Sequence, residues 1–377
     1  LRHIHYLLGS ENPKEMLTSI IKNVYENEKI HVDLNAEILN VEGYVGNFKT
    51  TIRSNGNDKQ IEHGVIVLAT GAMEYKPTEY LYGVHPNVMT QHELEESLAK
   101  GEFDAKSIVM IQCVGARNET RPNCSRICCS QAIKNALKIK ELSPETEVYV
   151  LHKDIRTYGF TEDYYREAAG KGVLFIRYDD DHVPEVTQKD GKLLVSAWEP
   201  VLKIWVPLET DVLALSVATI PNPDSERLAS MLKVPLTQDG FFLEAHMKLR
   251  PVDFATDGIF LCGLAHWPKS IEESISQACA AAARATAILS KESLEAEGTV
   301  SHIDENLCVG CGLCISICPY VAIAKDENGV VKVNEVLCKG CGTCAAGCPK
   351  RAITMYQFTD EQIIAQGVAA LRRVTSG

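Results

Sequence analysis

Residues 307–323, LCVGCGLCISICPYVAI, align without a gap on residues 337–353, LCKGCGTCAAGCPKRAI, so one unit is repeated with a period of 30 residues. Each copy is C-x2-C-x2-C-x3-C followed by proline. Three cysteines at this spacing reach three corners of one [4Fe–4S] cubane from a tight loop, and the fourth is carried by the next turn to the other cluster. The pattern assigns Cys308, Cys311, Cys314 and Cys348 to one cluster. Cys338, Cys341, Cys344 and Cys318 then hold the second. Gly310, Gly312, Gly340 and Gly342 let backbone N–H groups approach sulfur, and Pro319 and Pro349 stop the chain from continuing in one conformation. A zinc ribbon uses paired C-x2-C knuckles instead. The expected product is a ferredoxin with two clusters, an electron-transfer module.

The remainder of the 377 residues leaves room for about two further domains. Apolar residues make up 45% and charged residues 23%, enough to bury a globular core. No run of 18 apolar residues occurs, and the N-terminus lacks the apolar core of a signal peptide, so a cytoplasmic chain is expected. In a reducing compartment 14 cysteines point to metal ligation rather than disulfides. The chain begins with Leu1 and is expected to be a fragment or processed product. A net charge of -12 argues against nucleic-acid binding.

Helical and extended patterns alternate before the repeat. PKEMLTSIIKNVYENEKI has helical spacing, residues 30–54 read as strands with turns at Gly43 and Gly46, and Ile61 to Leu68 read as one apolar strand. SIVMIQCVG, VYVLHKD and VLFIRY read as strands separated by helices at 128–141 and 162–172, the alternation of a parallel sheet. DGIFLCGLAHWPKSIEESISQACAAAARATAILS reads as strand, tight turn and long alanine-rich helix. Two strand ends draw attention. Ala69-Thr70-Gly71 follows an apolar strand, where a glycine is often a plain turn. Cys262-Gly263 opens onto the long helix, whose N-terminus suits an anionic cofactor; ordinary packing of small residues against a sheet is the equal alternative.

These elements together resemble the two-dinucleotide-fold flavoproteins of the thioredoxin reductase type, with the second nucleotide domain inserted in the first. The resemblance implies 1–98 as a partial FAD-binding domain, 99–222 as the inserted unit and 223–298 as the return to the FAD-binding domain. The 2[4Fe–4S] ferredoxin domain is 299–356, and 357–377 is a C-terminal helix and tail. The family opens on G-x-G-x-x-G, which this sequence lacks, so the FAD pyrophosphate loop is expected before Leu1. After SIVMIQ, where a glycine-rich nicotinamide loop is due, the chain reads CVGARNETRPNCSRICC. Cys113, Cys124, Cys128 and Cys129 there suggest a third [4Fe–4S] cluster, with free thiols or a redox pair as the alternative.

GYVGNF (43–48), CVGAR (113–117), CSRICC (124–129), DIRTYGFTEDYYREA (154–168), GLAHWPKSIEESISQA (263–278), the twin cysteine motif and FTDEQIIAQ (358–366) resemble the iron–sulfur/FAD subunit of the heterodisulfide reductases of methanogens, with its relatives in sulfate reducers. The resemblance implies an oxidoreductase component whose FAD splits electron pairs, one electron going toward ferredoxin and one toward heterodisulfide-reducing subunits. It implies as partners those subunits, ferredoxin, and a hydrogenase- or dehydrogenase-linked electron donor. It places Thr70, Gly71, Gly263, Leu264, Ala265, His266 and Gln277 at the flavin, and Lys134 close to its N5. A solvated helix lysine is the commoner fate of such a residue, and His266 could equally line the core. Arg126 and Arg156 could line the site or form surface ion pairs. Cys262 and Cys279 receive no role. Two rivals remain: a ferredoxin-fused pyridine-nucleotide oxidoreductase, and an electron relay with a vestigial flavin fold. The tail, 359–371, is expected to bury Ile363, Ile364, Val368 and Leu371 against the ferredoxin or a donor subunit, with Arg372 and Arg373 closing the helix.

Overall fold

The computed structural model describes residues 4–9, 12–294 and 298–375. Helix α1 (Pro13–Glu26) begins where the Asn12 side chain accepts the Lys14 and Glu15 N–H groups and Pro13 takes the first turn. β1 (Ala36–Tyr44), β2 (Asn47–Ser54) and β3 (Asn57–His63) form an antiparallel sheet. β4 (Ile66–Leu68) and β5 (Ala72–Glu74) follow. The expected strand over 61–68 is thus two, parted at Gly64.

An inserted unit comes next. Its elements are β6 (Val88–Thr90), α2 (Gln91–Lys100), β7 (Ser107–Val114), α3 (Cys128–Leu142), β8 (Glu147–His152), α4 (Glu162–Gly170) and β9 (Val173–Arg177). A second antiparallel sheet, β10 (Glu185–Lys189), β11 (Lys192–Glu199) and β12 (Ile204–Thr210), leads into β13 (Val212–Val217). The main sheet is parallel, in the order β6-β13-β7-β8-β9. Its central strand β7 is apolar and buried on both faces, as a covered parallel strand must be. Met110, Val150 and Ala214 face Ile133 and Ala136 of α3. Val109, Ile111 and Leu215 face Leu193 and Val195 of β11 on the other side. Each such side chain contributes about 1.5–3 kcal/mol on burial. Because β6 pairs with β13, the insertion starts by residue 88, ahead of the expected 99.

β14 (Thr219–Pro221) pairs with β5, and β15 (Ile259–Leu261) lies parallel to β4, so the chain returns to its first unit after the insertion. α5 (Ser225–Leu232) precedes β15, and α6 (Ile271–Leu289) packs Ala281 and Ala285 against Phe260 and Cys262. The C-terminal unit is two-fold in plan. β16 (Ser301–Ile303) pairs with β19 (Ile353–Met355), and β17 (Ile323–Lys325) with β18 (Val331–Val333). α7 (Leu313–Ile317) and α8 (Thr343–Gly347) each start from a left-handed glycine, Gly312 at φ 79° and Gly342 at φ 76°, a conformation that costs a Cβ-bearing residue strain.

α9 (Asp360–Thr375) ends the described chain. Ile363, Ile364 and Val368 are exposed on it, so the expected packing of this face on the ferredoxin is not seen. The side chains of Arg372 and Arg373 lie outside the described residues.

Candidate functional site

The two cysteine sets of the repeat meet as the spacing predicts. One cavity is walled by Cys308, Cys311, Cys314 and Cys348, the other by Cys318, Cys338, Cys341 and Cys344. They span about 380 and 310 Å³ of space between atoms, counting the part that opens to solvent. Cys314 and Cys344 sit in the small apolar core with Ile303, Ile323, Val331 and Ile353. A unit this small has little else to hold it, so ligation and folding are coupled. Backbone N–H groups already reach sulfur: Ser301 N donates to Cys338 Sγ at 3.4 Å and Ala322 N to Cys318 Sγ at 3.4 Å.

Cys113, Cys124, Cys128 and Cys129 wall a third cavity, of about 300 Å³ on the same measure. Cys113 ends β7 with φ 63°, and Cys128 and Cys129 open α3. No side chain caps α3, so its N-terminal N–H groups are left to face the cavity's negative sulfurs. Gly115 lets the loop pass Tyr75, whose ring carbon would lie 2.4 Å from an added Cβ. Arg126 N donates to Cys124 Sγ at 3.3 Å. Arg117 and Arg156 line the cavity and share Asp154 as their anion. Burial pushes the Cys128 thiol well up, with the neighbouring cysteines adding to it. Burial also carries Cys129 to about 11 and raises Cys113. Thiols held this way take metal only by releasing protons. Among the described residues no three Cys, His, Asp or Glu side chains converge as one metal ion requires. The sulfurs stand around a space, as cubane ligands do.

The flavin candidates gather at the carboxyl ends of the parallel pair β4 and β15, where Cys262 N donates to Leu68 O at 3.0 Å. Thr70 and Gly71 follow β4; Gly263, Leu264 and Ala265 form a 3-10 turn after β15. Gly71 and Gly263 have φ of 73° and 68°, and a Cβ on either would meet open space, so a bound group can approach the backbone there. Gly263 N donates to Gln277 Oε1 at 2.9 Å, which turns the amide nitrogen toward His266 Nδ1 at 2.7 Å. His266 Nε2 then carries the proton and donates to Glu244 Oε2 at 2.8 Å. Burial lowers the His266 pKa, and Lys269 lowers it further. Lys269 itself donates to Gly263 O at 2.7 Å and Trp267 O at 2.8 Å. The N-terminus of α6 is closed by a capping box between Ser270 and Glu273, and Glu273 pairs with Arg126 at 2.7 Å. That positive end is answered within the protein, unlike that of α3.

Lys134 is buried one turn beyond Cys129, but its ammonium turns to α2. It donates to Glu95 Oε2 at 2.8 Å and to Tyr6 O at 3.0 Å, and lies over the Tyr6 ring. These contacts do not bring it to the strand-end turn.

Residues 301–355 match the family model of the 4Fe-4S dicluster domain. Over 331 residues the chain is 42% identical to the iron–sulfur/FAD-type component of H(2):CoB-CoM heterodisulfide,ferredoxin reductase from Methanothermobacter thermautotrophicus, covering 83% of this chain and 50% of that one. Over 286 residues it is 40% identical to a CoB–CoM heterodisulfide reductase iron-sulfur subunit from Methanopyrus kandleri, covering 71% and 43%. The chain belongs to this family of heterodisulfide reductase iron–sulfur subunits. It spans about half the length of the curated relatives it matches. Among solved structures it is similar to T. acidophilum thioredoxin reductase, with a TM-score of 0.49 and 15% identity over 76% of this chain and 85% of that one, a likeness too loose to argue from.

The stretches that carried the heterodisulfide reductase resemblance fall at these sites: CVGAR and CSRICC wall the third cavity, and GLAHWPKS makes the strand-end turn. Sequence reasoning missed Glu244, Lys269, Arg117 and Asp154, since no local motif marks them. They act through partners distant in sequence, 22 residues for the Glu244–His266 contact. No helix among the described residues is long and apolar enough to cross a membrane.

Proposed function

We propose that this chain is the iron–sulfur and FAD-carrying electron-transfer part of a heterodisulfide-reductase-like complex that serves flavin-based splitting of electron pairs. The observation that carries the reading is three cavities of similar size, each walled by four cysteines, along one chain. When bound, the clusters would supply one-electron steps and FAD the exchange between one- and two-electron chemistry. Cys308, Cys311, Cys314 and Cys348 would bind one cluster; Cys318, Cys338, Cys341 and Cys344 a second; Cys113, Cys124, Cys128 and Cys129 a third. Arg117 and Arg156 offset the negative charge of the third ligand set, and the uncapped α3 N-terminus adds to this. Thr70, Gly71, Gly263, Leu264 and Ala265 would form the wall against which FAD lies. The Gln277–His266–Glu244 chain fixes the orientation of that turn and the tautomer of the imidazole. Lys134 is read as a positioning residue that ties α3 to α2.

The partners in this reading are the disulfide-reducing subunits, ferredoxin, and a hydrogenase- or dehydrogenase-linked donor. A pyridine-nucleotide oxidoreductase would need a glycine-rich loop where Cys113 to Cys129 stand. The test is anoxic isolation of the complex that contains this chain, followed by flavin analysis and donor assays. The reading expects FAD, disulfide reduction coupled to ferredoxin reduction, and no NAD(P)H oxidation. Saturable NADH oxidation would contradict it, and a complex without flavin would favour the bare relay.

A further inference from the structure

The main sheet of the inserted unit carries a polar row at the carboxyl ends of its three central strands. Ile111 of β7 lies beside Leu215 of β13 and beside Leu151 of β8. The next residues, Ser216, Gln112 and His152, therefore stand side by side on one face. It is the face covered by α3, whose first residues are Cys128 and Cys129. Gln112 is 0% exposed and Ser216 1%. Among the described residues six buried side-chain nitrogen or oxygen atoms lack a hydrogen-bond partner. Four of them are in this row: Gln112 Oε1 and Nε2, His152 Nδ1 and Ser216 Oγ. Buried polar groups are nearly always paired, so four orphans in one place mark a site rather than scatter. Gln112 also walls the cavity of Cys113, Cys124, Cys128 and Cys129.

We infer that Gln112 donates a hydrogen bond from Nε2 to a sulfur of the cluster in that cavity and sets its reduction potential; the inference rests on the reading that the cavity holds a cluster. Cluster sulfurs accept hydrogen bonds and cannot donate, so the amide must present nitrogen to them. Oε1 then turns back along the row, where the Ser216 hydroxyl is a donor. The more negative, reduced cluster gains more from a donor than the oxidised one, so the bond raises the potential. Gln112 is a positioning and tuning residue, since it carries no electron itself.

The experiment is an EPR-monitored redox titration of the full chain in its complex, with iron content measured on each preparation. Gln112→Leu and Gln112→Met both remove the amide and keep bulk, so one serves if the other fails to assemble. The expected result is wild-type iron content and a lower midpoint for one cluster only. At fixed potential its reduced-to-oxidised ratio should fall about five-fold, the effect of one ordinary hydrogen bond. The two repeat-unit clusters should not move. A third signal whose midpoint ignores both substitutions would overturn the assignment alone and leave the row to ordered water. A wild-type chain with only two cluster signals would overturn the reading beneath it, and the assignment with it.

Discussion

Lys269 sits 9% exposed with its ammonium between two carbonyl oxygens, and that burial has a pH signature. Burial pulls its pKa down from 10.5 to about 8, against the carboxylate of Glu273 and with help from Arg126. Between these values the unfolded chain binds a proton that the folded chain has released. Stability therefore rises with pH across this window, and the cost of burying the charge is felt below about pH 8. Relative to Lys269→Met, the wild-type protein should gain stability between pH 7.5 and 10, by at most about 3 kcal/mol. Paired thermal melts across that range check this, and a pH-independent difference would contradict it. Lys134 is the contrasting case, because a fully buried carboxylate, Glu95, answers its charge at 2.8 Å.

α3 and α6 begin alike in sequence, after a loop and near a cysteine, yet only α3 leaves its first turn uncapped. That difference decides which helix end can serve an anionic group. α9 raises a different question, since Ile363, Ile364 and Val368 are exposed along it. Its first turn holds Asp360 and Glu361, which suit the helix dipole, but a helix of this length is marginal in water without a surface to cover it. Deleting residues 357–377 should leave about eight irons in the C-terminal unit and abolish co-purification with the electron donor. Retained co-purification would refute the docking role. At this scale the sequence was legible where the signal is local. The repeat dictated its ligand sets because three of four ligands lie within seven residues, and the buried strands β7, β8 and β13 announced themselves as apolar runs. The sheet β10–β12 was not read, because its strands alternate and carry charge at the surface. The start of the insertion was misplaced because β6 is three residues long and its partner β13 lies more than 120 residues away.

The C-terminal unit meets the rest of the molecule through loops around a crevice of about 1430 Å³, counting its open part. Val45, Phe48 and Met231 wall one side, and Pro319, Tyr320 and Leu337 the other. Lys339, which lies between Cys338 and Cys341, crosses the crevice to Asp257. Pro319, Tyr320 and Lys339 also border the Cys318 cavity, so this cluster site faces the first unit. The Cys308 cavity shares no lining residue with the crevice. A partly exposed pair contributes about 1 kcal/mol at most, which still shifts a docking equilibrium about five-fold. Asp257→Lys should therefore raise the radius of gyration measured by small-angle scattering, and adding Lys339→Asp should restore it. An unchanged radius in the single variant would show that the crevice walls suffice. The central claim is that three cysteine sets on this chain hold three clusters. Anaerobic reconstitution of the full chain, with iron and sulfide counted, tests it most directly. Three filled sites predict about twelve irons per chain, falling to about eight when Cys128 and Cys129 are replaced by serine. About eight irons in the unaltered chain, with Cys113 and Cys124 still open to alkylation, would contradict it.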